Sequence, residues 1–326
     1  MPDMPALHPQ ALRYAERCAG ENLIQKILVV VDPTASTHTC LEKAARLAQA
    51  YGSSLELFIC DVDQDVPGSW AGGTIQAEYR GLLRERRRGQ LEELANPLRA
   101  KGLHVLTSVE WHVPLEEGIV QHAIRSGADL VVKDTHRHPP MRNAPTIQTD
   151  WILIRQVPVP LLLVRPGAWP VHPRIGVAVD PCHPAERPLS LDEAMIGTAG
   201  SFGRALTGRI ELLHALESPA HLPGDTVSTE ARDASFARAK TAVEQLAERN
   251  GIGSRAIHCL PGRIPDGIIQ LTETLAPDVL VIGAGVRARF QYSAATTAST
   301  VLEMSDCDLL VIKPPGFVSP ALVTDA

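Results

Sequence analysis

Apolar positions along this chain fall into two patterns that take turns. Short runs dominated by apolar residues, such as 26–31 (KILVVV), are too short for a helix that buries itself and read as buried strands. Between them, apolar residues recur at helical spacing, as at Leu41, Ala44, Ala45, Leu47 and Ala48. In the first half this predicts strands at 26–31, 54–60, 103–110, 129–133 and 159–164. Helices are expected at about 40–50, 76–100, 114–127 and 149–156. Strands alternating with helices imply parallel pairing through right-handed crossovers.

The pattern then restarts. Strands are expected at 174–179, 208–216, 254–260, 279–282 and 309–312, and helices at about 189–206, 227–250 and 264–275. A segment of roughly one to three helical turns precedes the last strand. Asp32-Pro33 closes the first strand of one half and Asp180-Pro181 that of the other, an offset of 148 residues; Asp129 and Asp278 are offset by 149. Agreement over that distance indicates a tandem duplication. The expected fold is α/β: two tandem, doubly wound, open five-stranded parallel sheets of the Rossmann-like type. The divisions are a polar leader 1–24, a first domain 25–165, a Pro/Gly-rich linker 166–173, a second domain 174–316 and a tail 317–326.

Composition narrows the function. Hydrophobic content of 44% and charged content of 21% fit an ordinary soluble globular protein. A net charge of −6 argues against a nucleic-acid partner, and 4% aromatics against a base-stacking surface. Six scattered cysteines with no CxxC pair suit a reduced, cytoplasmic chain. Residues 1–20 lack the apolar core of a signal peptide, and no run of about 18 apolar residues exists to insert into a membrane.

In an open α/β sheet, ligands bind just past the C-terminal ends of the strands. The two loops at that place, after Asp129 and after Asp278, differ in chemistry although the strands around them match. Here the chain resembles the universal stress protein family, in particular its tandem two-domain E-type members. The residues that carry this are KILVVVD (26–32) with GVAVD (176–180), ADLVV (128–132) with PDVLVIG (277–283), and PLLLVRP (160–166) with DLLVIKP (308–314). VVKDTH (131–136) together with TDWILIR (149–155) is similar to the first domain of the E-type proteins. The resemblance spans about residues 24–316. It implies an adenine-nucleotide-alpha-hydrolase-like fold and a cytoplasmic, non-catalytic stress-response protein. Some members bind ATP through G-x2-G-x9-G-[S/T], because glycines let backbone N–H groups approach phosphate oxygens.

Carried over by position, Gly285 falls on the middle glycine, Ala295 on the third and Thr296 on the Ser/Thr. Gly283 stands one residue too close to be the first glycine. Arg287 and Arg289 reach phosphates in another way, and Thr296 or Thr297 caps the next helix or contacts phosphate. Asp180 implies adenine or ribose contacts, against a plain turn Asp before Pro. In the first half the same positions hold Asp134, Arg137 and Ile147, which close that site to a triphosphate.

Other residues have two readings. Lys133 either fills the vacated first site and pairs with Asp32 or Asp134, or snorkels from a strand end. His136 and His138 would need further ligands to hold a metal and read as a solvated loop, so no metal site is assigned. Arg84–Arg88, with Glu85, Glu92 and Glu93 nearby, reads as a solvated charged face. No catalytic motif emerges; a weak ATPase would need a base and a metal site that the sequence does not name. The expectation is a binding protein that requires no cofactor and leaves ATP or a related nucleotide open as ligand of the second domain. The halves would form an intrachain pseudo-dimer through their last strands, with a homodimer left open. The alternative is a scaffold or regulatory protein without nucleotide, its clefts open to an acyl or lipid-like ligand.

Overall fold

The computed structural model describes residues 24–61, 73–135, 145–182, 189–216, 229–284 and 297–322. The chain divides into two compact units, Met1–Ala168 with Val318–Ala326, and Trp169–Phe317. In the first, β1 (Lys26–Val30), β2 (Ser54–Asp61), β3 (Val105–Trp111), β4 (Leu130–Asp134) and β5 (Leu161–Val164) form a parallel sheet in the order β3-β2-β1-β4-β5. The helices between them are α1 (Thr39–Tyr51), α2 (Gly73–Ala100), α3 (Leu115–Arg125) and α4 (Pro145–Gln156).

The second unit repeats this with β6 (Arg174–Ala178), β7 (Arg209–Leu216), β8 (Ile257–Pro261), β9 (Val279–Gly283) and β10 (Asp308–Ile312), ordered β8-β7-β6-β9-β10. Its helices are α5 (Leu189–Leu206), α6 (Thr229–Arg249), α7 (Ile264–Leu275) and α8 (Thr297–Met304). The expected elements are present, and most edges agree within a few residues. The strand expected from 254 begins instead with a 3-10 turn, Ser254–Ala256, and pairs only from Ile257. Both faces of the central strands are covered, so Ile27, Leu28, Val29, Leu130, Val131 and Val132 are all fully buried.

The Asp residues that lead the fourth strands have a structural task in each unit. Asp129 Oδ2 accepts the N–H groups of Gln25 (2.9 Å) and Lys26 (3.0 Å), and Asp278 Oδ2 accepts that of Arg174 (2.7 Å). Each carboxylate pins the start of the neighbouring first strand, satisfying donors at the sheet's end. Asp308 does similar work for β10, accepting the buried Trp169 indole N–H at 2.7 Å.

A helix also crosses the second strand on a glycine in both units. A Cβ at Gly118 of α3 would lie 2.5 Å from His112 Cβ and 2.7 Å from Cys60 Sγ; at Gly267 of α7 it would lie 2.7 Å from Ala215 Cβ. Gly267→Ala therefore overpacks a backbone-close contact. Chemical denaturation should show a loss of about 1–3 kcal/mol.

The Arg84–Arg88 run is partly spent on the protein's own surface. Arg84 lies over the Trp111 ring at 5.3 Å, Arg87 pairs with Asp61 at 2.7 Å, and Arg88 with Glu85 at 3.1 Å. The first two contacts tie α2 to the ends of β3 and β2, and the third stays within the helix.

Candidate functional site

In each sheet the chain order reverses beside the first strand: β1 pairs with both β2 and β4, and β6 with both β7 and β9. The crevice past the C-terminal ends of such strands is the place an open α/β sheet offers a ligand. The two crevices are furnished differently.

In the first unit the strand end beside the crevice carries a network of the protein's own charges. Lys133, at the end of β4, donates to Asp150 Oδ1 of α4 at 2.9 Å and to the Asp134 carbonyl at 2.9 Å. The Thr135 hydroxyl donates to the other Asp150 oxygen at 2.6 Å. Burial opposes a charge on Lys133, but Asp150, and Asp32 behind it, hold the ammonium above its ordinary pKa. The expected partners of Lys133 were Asp32 or Asp134. The partner carboxylate is that of Asp150, which α4 brings to the strand end; Asp134 offers only its backbone carbonyl, and Asp32 contributes at longer range.

Asp134 turns the other way. Its Oδ1 accepts the Cys40 N–H at 2.8 Å, at the N-terminus of α1, where His38 provides no side-chain cap. That N–H belongs to the anion-attracting end of a helix, and a carboxylate of the chain already occupies it. Burial, followed by Asp134, pushes the Cys40 thiol well above its usual pKa. Asp32 is used locally: its Oδ1 accepts the Thr34 N–H (2.8 Å) and hydroxyl (2.6 Å). Burial would raise its pKa, yet these bonds and Lys133 hold it below the usual value.

In the second unit, strand and helix register place Ile282 where Lys133 stands, Gly283 for Asp134, Ala284 for Thr135 and Ala298 for Asp150. Every member of that network is replaced by an apolar residue or glycine. Gly283 closes β9 opposite Ile312, and the Ala284 N–H donates to the Ile312 carbonyl at 2.9 Å. Thr297 is the first residue of α8. Asp180 sits past the end of β6, and its N–H donates to the Asp192 carboxylate at 3.2 and 3.3 Å. Asp192, on α5, is fully buried. Gly285, Arg287, Arg289, Ala295, Thr296, Arg137, His136 and His138 lie outside the described residues. Ile147 falls within α4.

Two groups near this crevice have no counterpart in the sequence reading. Cys182, two residues past Asp180, and His214, on β7, have ligand atoms within 4.8 Å of each other and of an Asp180 carboxylate oxygen. Burial, followed by Asp180 and Cys259, raises the Cys182 thiol pKa. A lone histidine in a strand carries no local motif, so only strand register could reveal it.

The first unit also holds a charged cluster away from its crevice. His122 of α3, buried and stacked on Phe58 at 3.9 Å, places Nε2 2.8 Å from Glu56 Oε1 and Nδ1 3.0 Å from Glu110 Oε1. The Ser108 hydroxyl donates to the same Glu56 oxygen at 2.7 Å. Lys26 Nζ lies 2.6 Å from Glu56 Oε2 as an ion pair, while its hydrogen bond goes to the Ser126 carbonyl. Burial alone would raise the Glu56 pKa; His122, Lys26 and Ser108 overcome it and lower the group to about 2. Burial alone would lower that of His122, and the two glutamates raise it instead.

Twin parallel sheets, each with an Asp just past its first strand and a reversal of chain order beside it, define a duplicated α/β class. The chain belongs to the universal stress protein family, whose profile matches residues 23–165 and again 173–313. It is similar to Universal stress protein E of Escherichia coli strain K12, with 27% identity over 315 residues, 93% of this chain and 98% of that protein. A Universal stress protein E homolog of Haemophilus influenzae is 22% identical over 305 residues, 89% of this chain and 97% of that one. Among solved structures, a putative universal stress protein of Pseudomonas aeruginosa UCBPP-PA14 superposes with a TM-score of 0.70 at 25% identity, covering 90% of this chain and 95% of that one. A functionally unknown protein of Pseudomonas aeruginosa PAO1 gives 0.70 at 24%, covering 90% and 94%, a likeness of fold. Among the described residues no helix is long and apolar enough to cross a membrane.

Proposed function

We propose that this chain is a non-catalytic, cytoplasmic stress-response protein that binds a small ligand in its second domain and uses its first as a structural partner. The observation that supports this reading is the paired replacement at the two crevices. Lys133, Asp134, Thr135 and Asp150 put charged and polar groups at the end of one strand; Ile282, Gly283, Ala284 and Ala298 leave the other without them. The ligand is an adenine nucleotide or another phosphate-bearing molecule, for which Asp180, Gly283, Gly285, Arg287, Arg289, Thr296 and Thr297 are the contacts. Titrating the full chain with ATP and AMP should raise the melting temperature, and Gly285→Asp should abolish the shift. At a ligand concentration of about 100 times Kd the gain is about 2.7 kcal/mol. No shift of the unsubstituted protein at millimolar nucleotide would remove the nucleotide part.

One observation favours a second reading. Asp180 and the buried Asp192 put two carboxylates at the end of β6, which opposes a polyphosphate approaching without a cation. A scaffold or regulatory protein with an acyl or lipid-like ligand beside Ile282 avoids that conflict. In the same melting assay it responds to an acyl-lipid panel and stays silent to ATP.

A further inference from the structure

The end of β6 in the second domain carries a set of ligating atoms that the first domain lacks. Asp180, Cys182 and His214 offer a carboxylate oxygen, Sγ and an imidazole nitrogen, all within 4.8 Å of one another. Register identifies their first-domain counterparts as Asp32, Thr34 and Ile59, because Val30 pairs with Phe58 where Ala178 pairs with Leu213. There the Asp is satisfied by Thr34, through both its hydroxyl and its N–H. In the second domain that threonine has become a thiol and the isoleucine an imidazole, two metal-ligating side chains gained at the same place.

His214 supplies the observation that points to a ligand. It is 1% exposed. Its Nδ1 lies 2.9 Å from the Val179 carbonyl. A carbonyl only accepts, so Nδ1 carries the proton and Nε2 presents its lone pair. Nε2 is buried and has no hydrogen-bond partner among the described residues. A buried ring nitrogen left in this state is costly. An imidazole that donates one N–H to a backbone carbonyl, with the other nitrogen free, is the arrangement that metal-binding histidines use to fix tautomer and ring orientation.

We propose that Asp180, Cys182 and His214 bind a divalent transition-metal ion of the Zn2+ class. A thiolate with an imidazole selects such an ion over Mg2+ or Ca2+, which prefer all-oxygen shells. Three protein ligands leave the fourth position of a tetrahedral ion to water or an added ligand. Cys259, in register with His214 on β8, places a second thiol on the adjoining strand. The ion also offsets the carboxylates of Asp180 and Asp192. The proposal goes beyond the small-ligand reading and shares only Asp180 with it.

The test uses the full chain, stripped with chelator, and Co2+ and Zn2+ as probes without nucleotide. The expected result is one equivalent of Co2+ per chain, tetrahedral visible bands and a thiolate-to-cobalt charge-transfer band, all displaced by Zn2+. Cys182→Ser should remove the charge-transfer band, and His214→Gln should weaken binding about tenfold or more. Cys307→Ser is the control: Cys307 precedes β10, at the opposite end of the sheet, and its variant should bind as the parent does. Cys182 lies in a turn, so its variant keeps the test valid if His214→Gln fails to fold, and far-UV circular dichroism monitors both. A Co2+ spectrum without a thiolate band, or a band that survives Cys182→Ser, overturns the proposal. Either outcome leaves the nucleotide titration to be judged separately.

Discussion

Asp150→Ala should destabilise the first domain by about 3–5 kcal/mol, because it strands the Lys133 ammonium in a site built around its partner. Lys133 is only 14% exposed in its side chain and Asp150 2%, so water does little to screen the loss. Removing Asp150 also strips the Thr135 hydroxyl of its acceptor. In a domain of this size the change should lower the melting temperature by roughly 10 °C or more. The second domain suggests the rescue. Changing Lys133→Ile, Thr135→Ala and Asp150→Ala together installs the residues found at Ile282, Ala284 and Ala298. Replacing a buried ion pair with apolar groups is often neutral or stabilising, so the triple variant should recover most of the lost stability. Calorimetry of the parent, single and triple variants checks this. A triple variant as unstable as Asp150→Ala would mean that the charges are needed for more than mutual compensation.

The Glu56–His122–Glu110 cluster should give the first domain an unusual pH profile. Glu56 has an ordinary value of 4.5 and is lowered to about 2 in the fold. Its contribution is therefore present above about pH 4.5 and lost as pH falls towards about 2. His122 runs the opposite way. Its folded pKa is raised above 6.5, so its contribution is complete below that value and lost as pH rises through the folded pKa. Both are at full strength together only between about pH 4.5 and 6.5. Urea midpoints should then be higher at about pH 6 than at about pH 8.5, and His122→Gln should flatten the difference. His122→Ala should cost about 3–5 kcal/mol at about pH 6, since it uncovers a buried glutamate. Staying below pH 9 keeps the buried thiols out of the comparison; burial pushes Cys60 to about 12. A parent protein whose midpoint does not change between the two pH values would show that the fold does not raise the His122 pKa.

The strands and helices were legible because their signals are local. The runs around Val29, Val131, Val177 and Val281 and the helical spacing of Leu41 to Ala48 are set by which neighbours must leave water. The repeat was legible because Asp32 and Asp180, Asp129 and Asp278, recur at nearly constant offset. The reason for the last pair was not: only the structure shows Asp129 and Asp278 holding the N–H groups that start β1 and β6. The charged residue Asp134 in place of Gly283 was legible, while the partner of Lys133 was not. Asp150 is 17 residues away, and that separation in sequence says nothing of where α4 will lie.

The second crevice divides in the same way. Sequence by itself determined two α/β domains, the strand ends that bear Asp180 and Gly283, and the loss of glycines from the first loop. Tertiary structure alone decided that His214 faces Cys182 and Asp180 and that its Nε2 is left without a partner among the described residues. Periodicity states which face a residue takes within its own element. It does not state which residue of another strand shares that face, because register is fixed by the packing of the whole sheet.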